Sequence, residues 1–185
     1  MGGHGLQAKG TYPYDELFRV PCLFKLPASL PPPARRTVDD LVSSQAFPGT
    51  LLKLAGLDVP ASFTGGDFAG AFYRDRHPAG ENIFFEHYCA HWGLHPFYGI
   101  RTRTMKYVRY YGADATEELY DLAHDPGELR NLAFDPAHAD TLARLAQQAD
   151  AWWQETGGRT VDYYESPEFK ANRHNENLYC SGSRE

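Results

Sequence analysis

Tyr98-Gly99-Ile100-Arg101-Thr102-Arg103-Thr104-Met105-Lys106-Tyr107-Val108-Arg109-Tyr110-Tyr111 is the stretch on which the fold class turns. It is rich in aromatic and β-branched residues, and its alternation breaks near Thr104-Met105. The pattern predicts two strands joined by a tight turn. Upstream, Asn82 to Tyr88 has the same character and predicts a strand of its own. Downstream, Glu118-Leu119-Tyr120-Asp121-Leu122 predicts another, closed by the turn-forming Asp125-Pro126-Gly127. A long helix is expected from about Pro136 to Glu155. Asp135 can cap it and Pro136 suits its first position. Leu142, Leu145, Ala146, Ala149, Trp152 and Trp153 form its apolar stripe, and Gly157-Gly158 ends it. Residues 61–160 thus read as a small α+β subdomain, an antiparallel sheet carrying one long helix.

The earlier residues read differently. Residues 1 to about 21 are rich in Gly and Tyr without helical period, as in a loop. Val20-Pro21-Cys22-Leu23-Phe24-Lys25-Leu26 is short, apolar and proline-bounded, which predicts a buried strand. Leu30-Pro31-Pro32-Pro33 marks a turn or rigid connector. Val38 to Gly56 has apolar residues at helical spacing, interrupted at Pro48-Gly49, so a short helix, a break and a second helix ending at Gly56 are expected. The last residues, 161–185, read as an extended tail.

Hydrophobic residues make up 42% and charged residues 23% of the 185-residue chain, enough to bury a core. The net charge of −6 leaves no basic footprint for nucleic acid, so an anionic ligand would be held by a few placed cations. No apolar run approaches the ~20 residues that span a bilayer. The glycine-rich start lacks a signal peptide's basic and apolar regions. Cys22, Cys89 and Cys180 are odd in number and scattered, so free thiols are expected. The default localisation is cytoplasmic, although a missing true N-terminus would remove an export signal too.

The segment His4-Gly5-Leu6-Gln7-Ala8-Lys9-Gly10-Thr11, followed by Tyr14-Asp15-Glu16-Leu17-Phe18-Arg19-Val20-Pro21, carries the most chemistry. A lysine ammonium is a compact charge with three donors, suited to a sulfate or phosphate oxygen. On spacing alone, a solvated surface lysine is the more common case. His87, Cys89 and His91 alternate, with His95 four residues on. On a strand they would share a face, which suits zinc, a substrate entrance, or ordinary partly buried histidines.

The N-terminal segment resembles a stretch of the sulfatase family, within the alkaline-phosphatase-like superfamily. There a His-Gly-Leu is followed by a lysine, a Tyr-Glu-Glu and an Arg-Val-Pro. Three more stretches are similar to the same family in the same order. They are Phe47 to Pro60, Arg101 to Val108, and Glu118 to Leu122 with Asp125-Pro126-Gly127-Glu128 and Asn131-Leu132. The resemblance implies the end of an alkaline-phosphatase-like α/β domain over residues 1–60, followed by the α+β subdomain over 61–160. It implies that Lys9 contacts the sulfate group as a catalytic-site residue, that His4 is structural, and that His87, His91, His95 and Arg101 help to line the substrate pocket.

The family's nucleophile is a Cys or Ser in Cys/Ser-x-Pro-x-Arg, oxidised to formylglycine. Cys22 is followed by Leu23-Phe24-Lys25 and Cys89 by Ala90-His91-Trp92, so neither matches. Only eight residues precede Lys9, too few for the family's metal-binding pair. The expectation is a C-terminal fragment with no metal ligand of its own, inactive alone. Its full-length parent would use calcium or magnesium and formylglycine to hydrolyse a sulfated small molecule or sugar, and a separate N-terminal half is a possible partner. A phosphonate or phosphate ester hydrolase of the same superfamily, and a non-catalytic carbohydrate- or partner-binding module, are the competing readings.

Overall fold

The computed structural model describes residues 3–5, 12–73, 82–87, 96–110 and 116–158. The chain forms two compact units, one of residues up to Val20 and from Phe84 onward, the other Pro21–Ile83. This grouping by contact cuts the chain differently from the linear division at residues 60 and 160. Among the described residues, no helix is long and apolar enough to cross a membrane.

The first unit is built on a four-stranded sheet in the order β1 (Asn82–His87), β2 (Phe97–Thr102), β3 (Met105–Tyr110) and β4 (Glu117–Asp121). β2, β3 and β4 run antiparallel in succession, with Ile100 opposite Tyr107 and Tyr107 opposite Leu119. The predicted break falls where expected, because Thr102 Oγ1 accepts from the Met105 amide at 2.9 Å and closes the turn. Gly99 has no side chain for a packing reason. A Cβ there would lie 2.2 Å from the Tyr107 carbonyl oxygen and 2.8 Å from the Phe85 ring.

Within this unit, the helix α1 (Asp15–Phe18) precedes the sheet in sequence, and the long α3 (Ala139–Glu155) follows it. Asp135 accepts from the Ala137 amide at 3.0 Å, and Pro136 opens a 3-10 turn that leads into α3. The stripe of α3 then buries Leu145, Ala149 and Trp153 against Tyr98, Ile100, Tyr107 and Leu119 of the sheet. Trp153 stacks on Tyr98 with centroids 4.5 Å apart, and Trp152 on Phe84 at 5.2 Å.

The second unit centres on α2 (Phe47–Leu54) and the rings of Phe24, Phe47, Phe68 and Phe72. Thr50 joins its pieces, donating to the Ala46 carbonyl at 2.6 Å and accepting from the Phe68 amide at 2.9 Å. Gly56 has φ +73°, the left-handed value predicted for the residue that stops the helix.

Two expectations fail in this region. Pro48 does not break a helix, because it sits in the first turn of α2, where no intrahelical donor is needed. The preceding residues give only a 3-10 turn, Ser44–Ala46, in place of the expected first helix. Residues 20–26 do not form a buried strand either, and Leu23 is 97% exposed. An apolar run becomes a strand only when a neighbour completes its ladder, and no described segment pairs with this one.

Candidate functional site

Two cations stand directly opposite each other on β2 and β3, since Arg101 is the cross-strand partner of Lys106. Like charges in that position repel unless an anion lies between them. Asp15, the first residue of α1, supplies it. Arg101 Nη2 donates to Asp15 Oδ2 at 2.9 Å, and Lys106 Nζ lies 2.5 Å from Asp15 Oδ1. The Lys106 ammonium also lies 2.6 Å from Glu128 Oε1 and donates to the Pro13 carbonyl at 2.9 Å. The ammonium is thus paired at ion-pair distance with two carboxylates and donates one hydrogen bond, to a carbonyl, although the residue is only 1% exposed. Glu128 follows the Asp125-Pro126-Gly127 turn in the left-handed region, φ 54°, and its Oε2 accepts from the Asp15 amide at 2.6 Å. Burial alone would raise the Asp15 carboxyl, but the hydrogen bonds and charges of Arg101 and Lys106 outweigh it and hold it below its ordinary value. Two cations and two carboxylates make a neutral buried knot.

Beside the knot lies a cluster of tyrosine side chains. The His4 ring stacks on Tyr14 with centroids 3.7 Å apart and planes at 6°, and Tyr14 meets Tyr120 edge-on at 6.2 Å. Tyr110 donates to Glu118 Oε2 at 3.3 Å. Burial raises the Glu118 carboxyl above its ordinary value despite the phenol donors of Tyr120 and Tyr110.

A second network fastens α3 to the sheet. Arg109 Nη1 reaches both oxygens of Asp150, at 2.9 and 2.8 Å, while its Nη2 lies 2.7 Å from Glu117 Oε1. Tyr98 donates to Asp150 at 2.8 Å, and Tyr107 donates to Glu117. These bonds consume the polar groups along that edge, and the network is structural.

Of the residues singled out from the sequence, Arg101 and His87 are described, and the structure does not bring them together. Arg101 is held by Asp15 and by the Thr102 carbonyl, 2.6 Å from Nη1. His87 ends β1 with its ring 5.4 Å from that of Phe97. Lys9, His91 and His95 lie outside the described residues, as does Cys89. Sequence reasoning passed over Lys106, Asp15 and Glu128 as site residues. Each stands inside a stretch already noted for its likeness to one family, but nothing local indicates that they meet.

A family model described as N-sulphoglucosamine sulphohydrolase, C-terminal, matches residues 2–155. The chain belongs to this sulfatase C-terminal family. A relative, the Delta 4,5-hexuronate-2-O-sulfatase of Bacteroides thetaiotaomicron, is 32% identical over 149 residues, which is 77% of this chain and 30% of that protein. Among solved structures, BT1596, a 2-O GAG sulfatase, superposes with a TM-score of 0.59 at 28% identity, over 71% of this chain and 28% of that one. BT4656, solved in complex with its substrate D-glucosamine-2-N,6-O-disulfate, superposes with a TM-score of 0.57 at 25% identity, over 65% of this chain and 25% of that one. The chain thus spans about a third of the length of the relatives it matches. Its fold is the expected one, an antiparallel sheet with a long C-terminal helix. Among the described residues, no group of three or more His, Cys, Asp and Glu is arranged to hold a metal ion.

Proposed function

We propose that this chain is the C-terminal portion of a sulfuric-ester hydrolase acting on a sulfated sugar, and that Lys9 contacts the sulfate group. In this reading residues 1–60 close the catalytic α/β domain, 61–160 form the C-terminal subdomain, and 161–185 extend from it. The observation that carries it is the ion knot. Asp15, Arg101, Lys106 and Glu128 come from three family-like stretches, and their meeting fastens the chain just after Lys9 to the sheet. The names of the relatives, a hexuronate sulfatase and a glycosaminoglycan sulfatase, support a sulfated sugar as the substrate class.

The Lys9 ammonium would bind a non-bridging sulfate oxygen and oppose the negative charge that grows there as the ester bond breaks. His87, His91 and His95 would line the entrance, where imidazoles can donate to sugar hydroxyls and sulfate oxygens. Arg101 fits a supporting role better, because its guanidinium already holds Asp15.

In a full-length parent, as the family resemblance implies, a formylglycine would supply the attacking hydroxyl and calcium or magnesium would polarise the sulfate. The described residues do not fit such a metal. The Asp15 oxygens face Arg101 and Lys106, and those of Glu128 face Lys106 and the Asp15 amide. No step is therefore assigned to a metal or formylglycine on these residues.

The test is hydrolysis of an aryl sulfate and of 2-O- and 6-O-sulfated saccharides, with calcium, by the chain alone and by the chain joined to a nucleophile-bearing segment. Activity in the joined form, lost on Lys9→Ala, is the expected result. Full activity of the Lys9→Ala form would remove the sulfate role. No activity towards any sulfate ester, with a converted formylglycine in place, would overturn the sulfatase reading.

A further inference from the structure

The geometry points to His4 as a positioning residue that closes the base of the Lys9-bearing segment; this rests on the sulfate-contact role proposed for Lys9. His4 and Tyr14 flank that segment. Ten residues of extended chain would separate them by about 33 Å, yet their rings stack with centroids 3.7 Å apart and planes nearly parallel. The C-terminal end is fixed next to this stack, where Pro13 is fully buried, its carbonyl accepts from Lys106, and the Asp15 amide is held by Glu128. The stack brings the N-terminal end to the same place.

Two details argue that ring contact is what His4 contributes. Its backbone lies in the left-handed region at φ 53°, followed by Gly5 at φ 69°. A non-glycine residue stays there only when its surroundings hold it. Its Nε2 is buried without a hydrogen-bond partner among the described residues, so no hydrogen bond from that nitrogen accounts for its position. The stack on Tyr14 does. Tyr14 in turn meets Tyr120 of β4, which ties the base of the segment to the sheet. With both flanking ends pinned, less chain freedom is left to lose when the lysine holds an anion, which lowers the entropy cost of binding.

Two variants separate ring packing from the chemistry of imidazole. His4→Ala removes the ring, and His4→Phe keeps a flat ring of similar size without nitrogen. Hydrogen exchange of the intact chain, read on a peptide covering residues 5–13, should quicken about tenfold in His4→Ala and stay within about twofold of wild type in His4→Phe. A β3 peptide should exchange at the wild-type rate in both, as the control for folding. In the chain joined to a nucleophile-bearing segment, kcat/KM for an aryl sulfate should fall about tenfold for His4→Ala and be rescued by His4→Phe. Wild-type exchange in His4→Ala overturns the inference, and so does a His4→Phe protein as impaired as His4→Ala. Should the joined wild type fail to cleave sulfate esters while exchange behaves as expected, the sulfatase reading falls and the pinning of the segment stands.

Discussion

Replacing Lys106 with methionine keeps most of the side-chain volume and deletes the charge at the centre of the knot. Its Nζ lies 2.5 Å from Asp15 Oδ1 and 2.6 Å from Glu128 Oε1. At an effective dielectric of about 20, each pairing carries about 6 kcal/mol of gross attraction, and desolvation offsets most of it. After the change, Asp15 keeps Arg101, while Glu128, its side chain 2% exposed, keeps only the Asp15 amide. Removing one partner of a buried pair in this way costs about 3–5 kcal/mol. Urea unfolding followed by tryptophan fluorescence should show this as a midpoint about 2 M lower, for a slope of about 2 kcal/mol/M. The cost should depend on pH. The Asp15 carboxyl is held below 3.8, so its stabilising contribution is present above that pH and is lost as pH falls through its folded value. The gap between wild type and Lys106→Met is therefore full at pH 7 and narrows below about pH 4. Adding Glu128→Gln to Lys106→Met should recover about 1–2 kcal/mol, because it removes the stranded charge. A gap under about 1 kcal/mol at pH 7, or one equal at pH 7 and pH 3, would refute the account of the knot.

Three further outcomes are expected. Burial, then the Asp150 carboxylate, pushes the Tyr98 phenol up to about 12. A raised folded value means stability that is complete below the ordinary 10.0 and is lost as pH climbs towards 12, so Tyr98→Phe should flatten the alkaline fall in urea midpoint; an unchanged slope would count against it. Thr50→Val leaves the buried Phe68 amide without its acceptor and should cost about 1–3 kcal/mol, seen as faster exchange of that amide; wild-type exchange there would show that the bond carries no weight. Gly99→Ala drives a Cβ towards the Tyr107 carbonyl and should destabilise by about 1–3 kcal/mol, measured as a lower Tm, and an unshifted Tm would mean that the strands yield freely.

Much of the first unit, and one helix end of the second, was legible from local pattern. The broken alternation at Thr104-Met105, the cap-and-proline pair Asp135-Pro136, the apolar stripe ending at Trp153 and the turn at Gly56 each act within a few residues. Their structural consequences could therefore be read off the chain. Lys9 belongs to the sequence reading too, because its significance comes from the residues around it. Residues 20–26 show where local pattern stops. Apolar character there signalled a strand, but a strand exists only when a neighbour completes its hydrogen bonds. The ion knot lay beyond local pattern for a related reason. The Asp15 amide meets Glu128 across 113 positions, Lys106 reaches Pro13 across 93, and Arg101 reaches Asp15 across 86. Charge at each position was plain from the sequence and allowed any of them to be an ordinary solvated side chain. Only the tertiary fold put two opposed cations on one hairpin and brought two carboxylates to them, because a buried charge is tolerated only where its partner is delivered by another part of the chain.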